Sequence, residues 1–128
     1  MDNKLQKIKF FLTEYNIAIF VEKKYWDESF LKEDTIILNA NCSDEELLGD
    51  PSHYALWYSK LKSRKNNSFT LLVIDVDNST FEQQQRFSSL IRDRIITYNK
   101  LPSNCRVVVI ASSENKVSNT LIEDLMVI

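Results

Sequence analysis

Glycine is nearly missing from this chain: Gly49 is the only one in 128 residues, where average usage would give roughly nine. A glycine-rich loop that cradles phosphate with its backbone cannot be built from it. There is one histidine, His53, with no clustered partner, so the sequence supplies neither a histidine-based metal set nor a histidine to place beside Ser112 or Ser113. Cys42 and Cys105 form no CxxC pair, and both are expected to be reduced thiols. Sixteen basic residues against eighteen acidic ones leave a formal net charge of −2, so no global positive field exists to hold nucleic acid or an anionic membrane. The longest apolar stretches, around Ile17 to Val21 and Leu71 to Ile74, fall far below the about 20 residues of a membrane span. Lys4, Lys7 and Lys9 are interleaved with Leu5, Ile8 and Phe10, so no secretory signal is expected and the reading is of a soluble, cytoplasmic protein. What remains, 44% hydrophobic and 27% charged residues, suits a single globular domain over residues 1–128.

Apolar periodicity organises that domain. Leu5, Ile8, Phe11, Leu12 and Tyr15 lie at helical spacing over residues 3–15. Residues 17–21 read as a short buried strand, followed by a polar and aromatic connection, KKYWDESFLKE, with room for about two helical turns. Residues 35–40 read as a second strand. Ser43 and Glu46 form a capping box, and Gly49 with Pro51 supplies the stop, which predicts a short helix over 44–48. Tyr54, Trp57, Tyr58 and Leu61 mark one face of the next helix.

Residues 69–74 are apolar and β-branched without alternation, as in a central strand buried on both faces. Ser79 and Glu82 form a second capping box. Phe87, Leu90, Ile91, Ile95 and Tyr98 then predict one long helix that Pro102 ends. Residues 106–111 read as a fourth buried strand, and Ser118 caps a last helix carrying Leu121, Ile122, Leu125 and Met126. The alternation predicts a three-layer α/β sandwich with a mostly parallel sheet of about four strands.

In open parallel sheets ligands bind at the carboxyl ends of the strands. Here those ends carry Glu22 and Lys23, Asn39 to Cys42, Asp75, Asp77 and Asn78, and Ser112 and Ser113. Two carboxylates after a buried strand are what a magnesium site uses. They are equally what strand ends and turns use to satisfy their own amides. The cluster Lys60, Lys62, Arg64 and Lys65 is the one place where phosphates or an acidic partner find local positive charge, and it also reads as a solvated helix end.

The segments NANCSDEELLGD, TLLVIDVDNSTFEQQQRFSSLIRD and NCRVVVIASS, in that order, resemble the ATPase core of AAA+ proteins, most of all the bacterial enhancer-binding branch that activates alternative-sigma-factor transcription. The resemblance covers roughly residues 17 to 125 and implies a P-loop-NTPase-like fold. It implies that Asn41, Cys42, Leu47, Leu48 and Gly49 form the element after the second strand, and that Asp75 is the Walker B acid. Gln84 or Gln85 before Phe87 and Leu90 approximates the family's Gln-x-x-Leu pattern. Arg106 precedes the fourth strand, and Ser112 or Ser113 takes the sensor-one position.

The departures define the functional expectation. Where the phosphate loop should follow the first strand stands VEKKYWDE from Val21, without glycine and with Glu22 facing the phosphate position. The catalytic glutamate after Asp75 is replaced by Val76, so no side chain there polarises water. A further strand and lid with an arginine finger are not expected to fit before Ile128. The resemblance therefore implies a non-catalytic, regulatory AAA+-like chain, with no cofactor, that scaffolds or inhibits a protein partner or self-associates. Tyr25, Trp26, Trp57 and Tyr58 are the aromatic candidates for that contact, with core packing as their other role.

A rival reading rests on IFVEKKYWDESFL and VIDVDN, which resemble a magnesium-dependent Toprim-like domain of nucleic-acid processing. That resemblance implies Glu22, Asp75 and Asp77 as a metal triad for phosphodiester cleavage.

Overall fold

A computed structural model describes residues 3–26, 35–50, 52–63 and 69–128. Helix α1 (Asn3–Glu14) leads into β1 (Ile19–Glu22) and a single 3-10 turn (Lys23–Tyr25). Strand β2 (Thr35–Asn39) is followed by α2 (Asp44–Leu48), α3 (Leu56–Ser63) and β3 (Thr70–Asp75). Then come α4 (Phe81–Gln85), α5 (Ser88–Asp93), a small hairpin of β4 (Ile95–Ile96) and β5 (Asn99–Lys100), β6 (Cys105–Ala111), α6 (Asn119–Ile122) and β7 (Met126–Val127). Of the connection over residues 23–33, expected to hold about two helical turns, the part from residue 27 on lies outside the described residues, as do the stop at Pro51 and the basic residues Arg64 and Lys65.

The central sheet runs β2-β3-β6-β1-β7, and every pairing in it is parallel. Successive side chains of a strand point to opposite faces, so the uninterrupted apolar runs of β1, β3 and β6 supply two cores at once. On one face Phe20, Leu72, Ile74, Val107 and Val109 meet Leu47, Trp57, Leu61, Phe87, Leu90 and Leu121 from α2, α3, α5, α6 and the α4–α5 junction. On the other, Ile19, Val21, Val73, Val108 and Ile110 meet Ile8 and Leu12 of α1 and the terminal Ile128. Each such side chain, fully buried, contributes about 1.5–3 kcal/mol of transfer free energy. The α/β class and the parallel sheet agree with the sequence, but the sheet has five strands rather than four.

Local chemistry explains where the elements differ from expectation. The box at Ser43 and Glu46 forms with both reciprocal bonds, each 3.1 Å. The second box forms one residue later than expected, between Thr80 and Gln83. Ser79 is already committed, its hydroxyl donating to the Val76 carbonyl at 2.7 Å. The long helix breaks because Ile95 and Ile96 are consecutive β-branched residues that favour extended backbone, and Thr97 then turns the chain in a left-handed conformation, φ 56°. Arg94 closes α5 in a left-handed conformation, φ 59°, and its guanidinium donates to the Pro102 and Cys105 carbonyls, both at 2.8 Å. Tyr98, expected on a helix stripe, is instead 94% exposed at the hairpin tip. Met126 leaves the last helix to pair with Ile19 in β7, so a fifth strand does fit before Ile128.

Gln84 is fully buried and fastens α4 to the chain after β6: its amide donates to the Lys116 carbonyl, and its carbonyl accepts from the Ser118 amide, each at 2.8 Å. Gln84→Leu removes both bonds and leaves the buried Ser118 amide without its partner. Urea unfolding is expected to show a loss of about 2 kcal/mol.

Candidate functional site

The chain leaves β1 and crosses β6 and β3 to reach the β2 edge, whereas from β6 it crosses β1 to reach β7. Neighbouring strands whose connections depart in opposite directions define the crevice where open α/β sheets bind ligands. Three strand ends meet there: Glu22 and Lys23 after β1, Asp75 to Asp77 after β3, and Ser112 after β6.

Lys23 occupies that crevice. Its ammonium lies 2.9 Å from Asp75 Oδ2 and 2.8 Å from Asp77 Oδ2. The second oxygen of Asp77 accepts from the Ser112 amide at 2.7 Å and from its hydroxyl at 3.2 Å. Asp75 Oδ1 accepts from the Asp77 amide at 3.1 Å, which fixes the turn after the strand. The hydrogen bonds that Lys23 donates to Asp77 and Asp75 hold its amine above its ordinary range. Partial burial pushes the Asp77 carboxyl up, but the Lys23 ammonium and the Ser112 amide outweigh it, so the group lies below its ordinary value. Lys23 and Asp77 are therefore both charged at neutral pH, and the one ammonium lies between the Asp75 and Asp77 carboxyl groups.

Strand alternation separates the residues of the metal reading. Glu22 shares the parity of Phe20, on the face covered by α2 to α6, whereas Asp75 shares that of Val73, on the α1 face. Asp75 and Asp77 come together, but on Lys23, and among the described residues no group of three His, Cys, Asp or Glu side chains is placed to hold a metal ion. Val76, which follows Asp75, is fully buried, and its amide donates to the Ile110 carbonyl at 3.1 Å.

The aromatic candidates divide. Trp57 and Tyr58 correct the expectation of a contact surface, because both are buried in the core. Trp57 Nε1 donates to the Leu47 carbonyl at 2.9 Å, and Tyr58 Oη donates to the Lys100 carbonyl at 2.8 Å, so their polar ends are used inside the fold as well. Tyr25 and Trp26 are half-buried against the α1-side core, just beyond Lys23.

Two other residues fasten the chain that follows the strand ends. Arg86 of the α4–α5 junction donates to Asp44 Oδ1 at 3.0 Å and to the Ala40 carbonyl at 2.7 Å, tying that junction to the end of β2. Gln84, noted in the sequence for its spacing before Leu90, holds the segment that follows Ser112. Lysine directly after an apolar strand, opposite an Asp-x-Asp after another, is the signal in the sequence for the ion cluster itself. Cys42 and Cys105 are free thiols; burial pushes Cys105 up to about 11. His53 is exposed and sits 3.4 Å from Asp50, far along the chain from the crevice residues.

No protein-family model matches this chain. A comparison with curated proteins likewise returns no match. No helix among the described residues is long and apolar enough to cross a membrane.

Proposed function

We propose that this chain is a non-catalytic α/β module, of AAA+-like design, that works through contact with protein rather than through turnover of a nucleotide. One observation carries the reading: the ammonium of Lys23 fills the crevice at the switch point and spends the charge of Asp75 and Asp77 internally. A nucleotide phosphate brought there would meet two carboxylates and no glycine-rich loop, and a magnesium ion would have to displace a bonded lysine. The element order supports the AAA+-like part: a capped helix after Asn41 and Cys42, a strand ending on Asp75, Gln84 in the next helix, and a strand with Arg106 near its start and Ser112 just after its end. Val76 stands where a water-polarising glutamate would be required.

Calorimetric titration with magnesium-ATP is expected to show no saturable heat at micromolar ligand, with no phosphate release above a protein-free control. Saturable binding that Asp75→Asn abolishes would overturn this reading. Manganese-dependent cleavage of DNA or RNA, lost in Asp75→Asn and Glu22→Gln, would instead establish the Toprim-like alternative, whose carboxylates the strand alternation does not bring together.

A further inference from the structure

Strand β2 forms one edge of the sheet. Among the described residues it pairs with β3 on one side and with no strand on the other. The Ala40 amide donates to the Asp75 carbonyl at 2.8 Å, and backbone groups alternate along a strand, so Ile36 and Leu38 face β3 while Thr35, Ile37 and the Asn39 amide face outward. Sheet edges are usually guarded by lysine, proline or a bulge. The segment TIILN has no charge and no proline, and its central Ile37 is 56% exposed.

Charge is ordered along this edge. A groove of about 760 Å³ runs beside β2, lined among others by Glu45, Glu46, Asp50, Tyr54, Leu56 and Lys60. The three carboxylates belong to α2 and the residues just after it, at the C-terminal end of β2. Because β3 is parallel to β2, α3 must carry the chain back, which sets Lys60 toward the N-terminal end.

We propose that β2 pairs antiparallel with β2 of a second copy of this chain, about a twofold axis through Ile37, so that one sheet continues through both copies. Such an isologous contact opposes Ile37 to itself and Thr35 to Asn39 of the second copy. It also sets the acidic end of each groove against the lysine end of the other. A parallel partner copy would set acid on acid, and a uniformly basic peptide would leave Lys60 opposed by like charge. This inference rests on the reading of the chain as a protein-contact module and names its partner.

Sedimentation equilibrium from about 1 to about 200 μM covers the affinities typical of a modest interface. The expected result is a mass that rises with concentration from the 15.0 kDa protomer to twice that value. Ile37→Lys puts like charges across the axis and is expected to raise the dissociation constant at least about tenfold, with an unchanged melting profile at high dilution. In the unaltered chain, amide exchange at Ile37 and Asn39 is expected to slow as concentration rises, a readout that does not depend on the variant folding. A monomer at every concentration overturns the proposal. So does a dimer that Ile37→Lys leaves intact, or one without added protection at Ile37 and Asn39. Magnesium-ATP titration of the same samples keeps the two readings apart: a monomer blind to ATP loses only the edge pairing, and an Ile37-dependent dimer that binds ATP loses only the non-catalytic reading.

Discussion

Gly49→Ala is expected to lower the unfolding free energy by about 4 kcal/mol, at the upper end of what single substitutions do. Gly49 has φ 75° and ψ −159°, a region essentially closed to residues with a Cβ, so backbone strain alone contributes about 1–3 kcal/mol. Space is the larger obstacle. An added Cβ would fall 2.5 Å from the Ala55 nitrogen and from the His53 carbonyl oxygen, and 2.8 Å from the Tyr54 carbonyl carbon. All three are backbone atoms, so no side chain can swing aside; the segment between α2 and α3 must move. That segment positions Trp57, whose indole bonds the Leu47 carbonyl, so the strain reaches the core of the sheet's larger face. Urea denaturation checks the effect, with an unchanged slope as the sign that the same surface is exposed. A loss below about 1 kcal/mol, the size of a surface effect, would mean that the α2–α3 segment is not packed on Gly49 as described.

The same residue shows what the sequence made legible. Gly49 reads at once as a helix stop, because the preceding capping box and apolar pair fix where the helix begins. The demand for space around it involves residues 53 to 55, which no local pattern connects to it. Strands were readable where both faces are buried, since continuous runs such as LLVI in β3 and VVVI in β6 have few alternatives. They were not readable where a strand is two residues long: Met126 and Val127 pair with β1 only because the sheet is already there, and on their own they continue the helical spacing of Leu121, Ile122 and Leu125. Tyr98 misled for a related reason. Its spacing from Ile91 and Ile95 is helical, yet the extended pair Ile95 and Ile96, set between left-handed turns at Arg94 and Thr97, redirects the chain. At the crevice, the residue types were visible and their pairing was not. Asp75, Asp77 and Lys23 all stood at strand ends, but which carboxylate meets which partner depends on strand order and parity, and these keep Glu22 on the other face.

Lys23→Glu carries the second large effect, because it replaces the one ammonium between Asp75 and Asp77 by a third carboxylate. Breaking a buried ion pair costs about 3–5 kcal/mol. Lys23 is 37% exposed, so solvent screening reduces that figure, while the new repulsion adds to it. The expected net loss is about 3 kcal/mol at neutral pH in a chelator. The pH dependence separates the two proteins. In the unaltered chain the depressed Asp77 contributes stability above its ordinary 3.8, lost as pH falls through its lowered value. Lys23, raised above its ordinary 10.5, contributes fully below that value and loses its effect as pH rises through the raised one. Between those limits the cluster adds no slope. In the variant, crowded carboxylates bind protons more readily folded than unfolded, so its deficit should shrink as pH falls below about 5. Divalent cations should act in the same direction: three carboxylate side chains form an oxygen site of the kind magnesium or manganese takes, and a cation at a hundredfold excess over its dissociation constant restores about 2.7 kcal/mol. Thermal unfolding of both proteins, in chelator and in magnesium, reads all of this. A variant as stable as the parent in chelator and indifferent to magnesium would mean that Lys23 does not fill the crevice, and the non-catalytic reading would lose the observation that carries it.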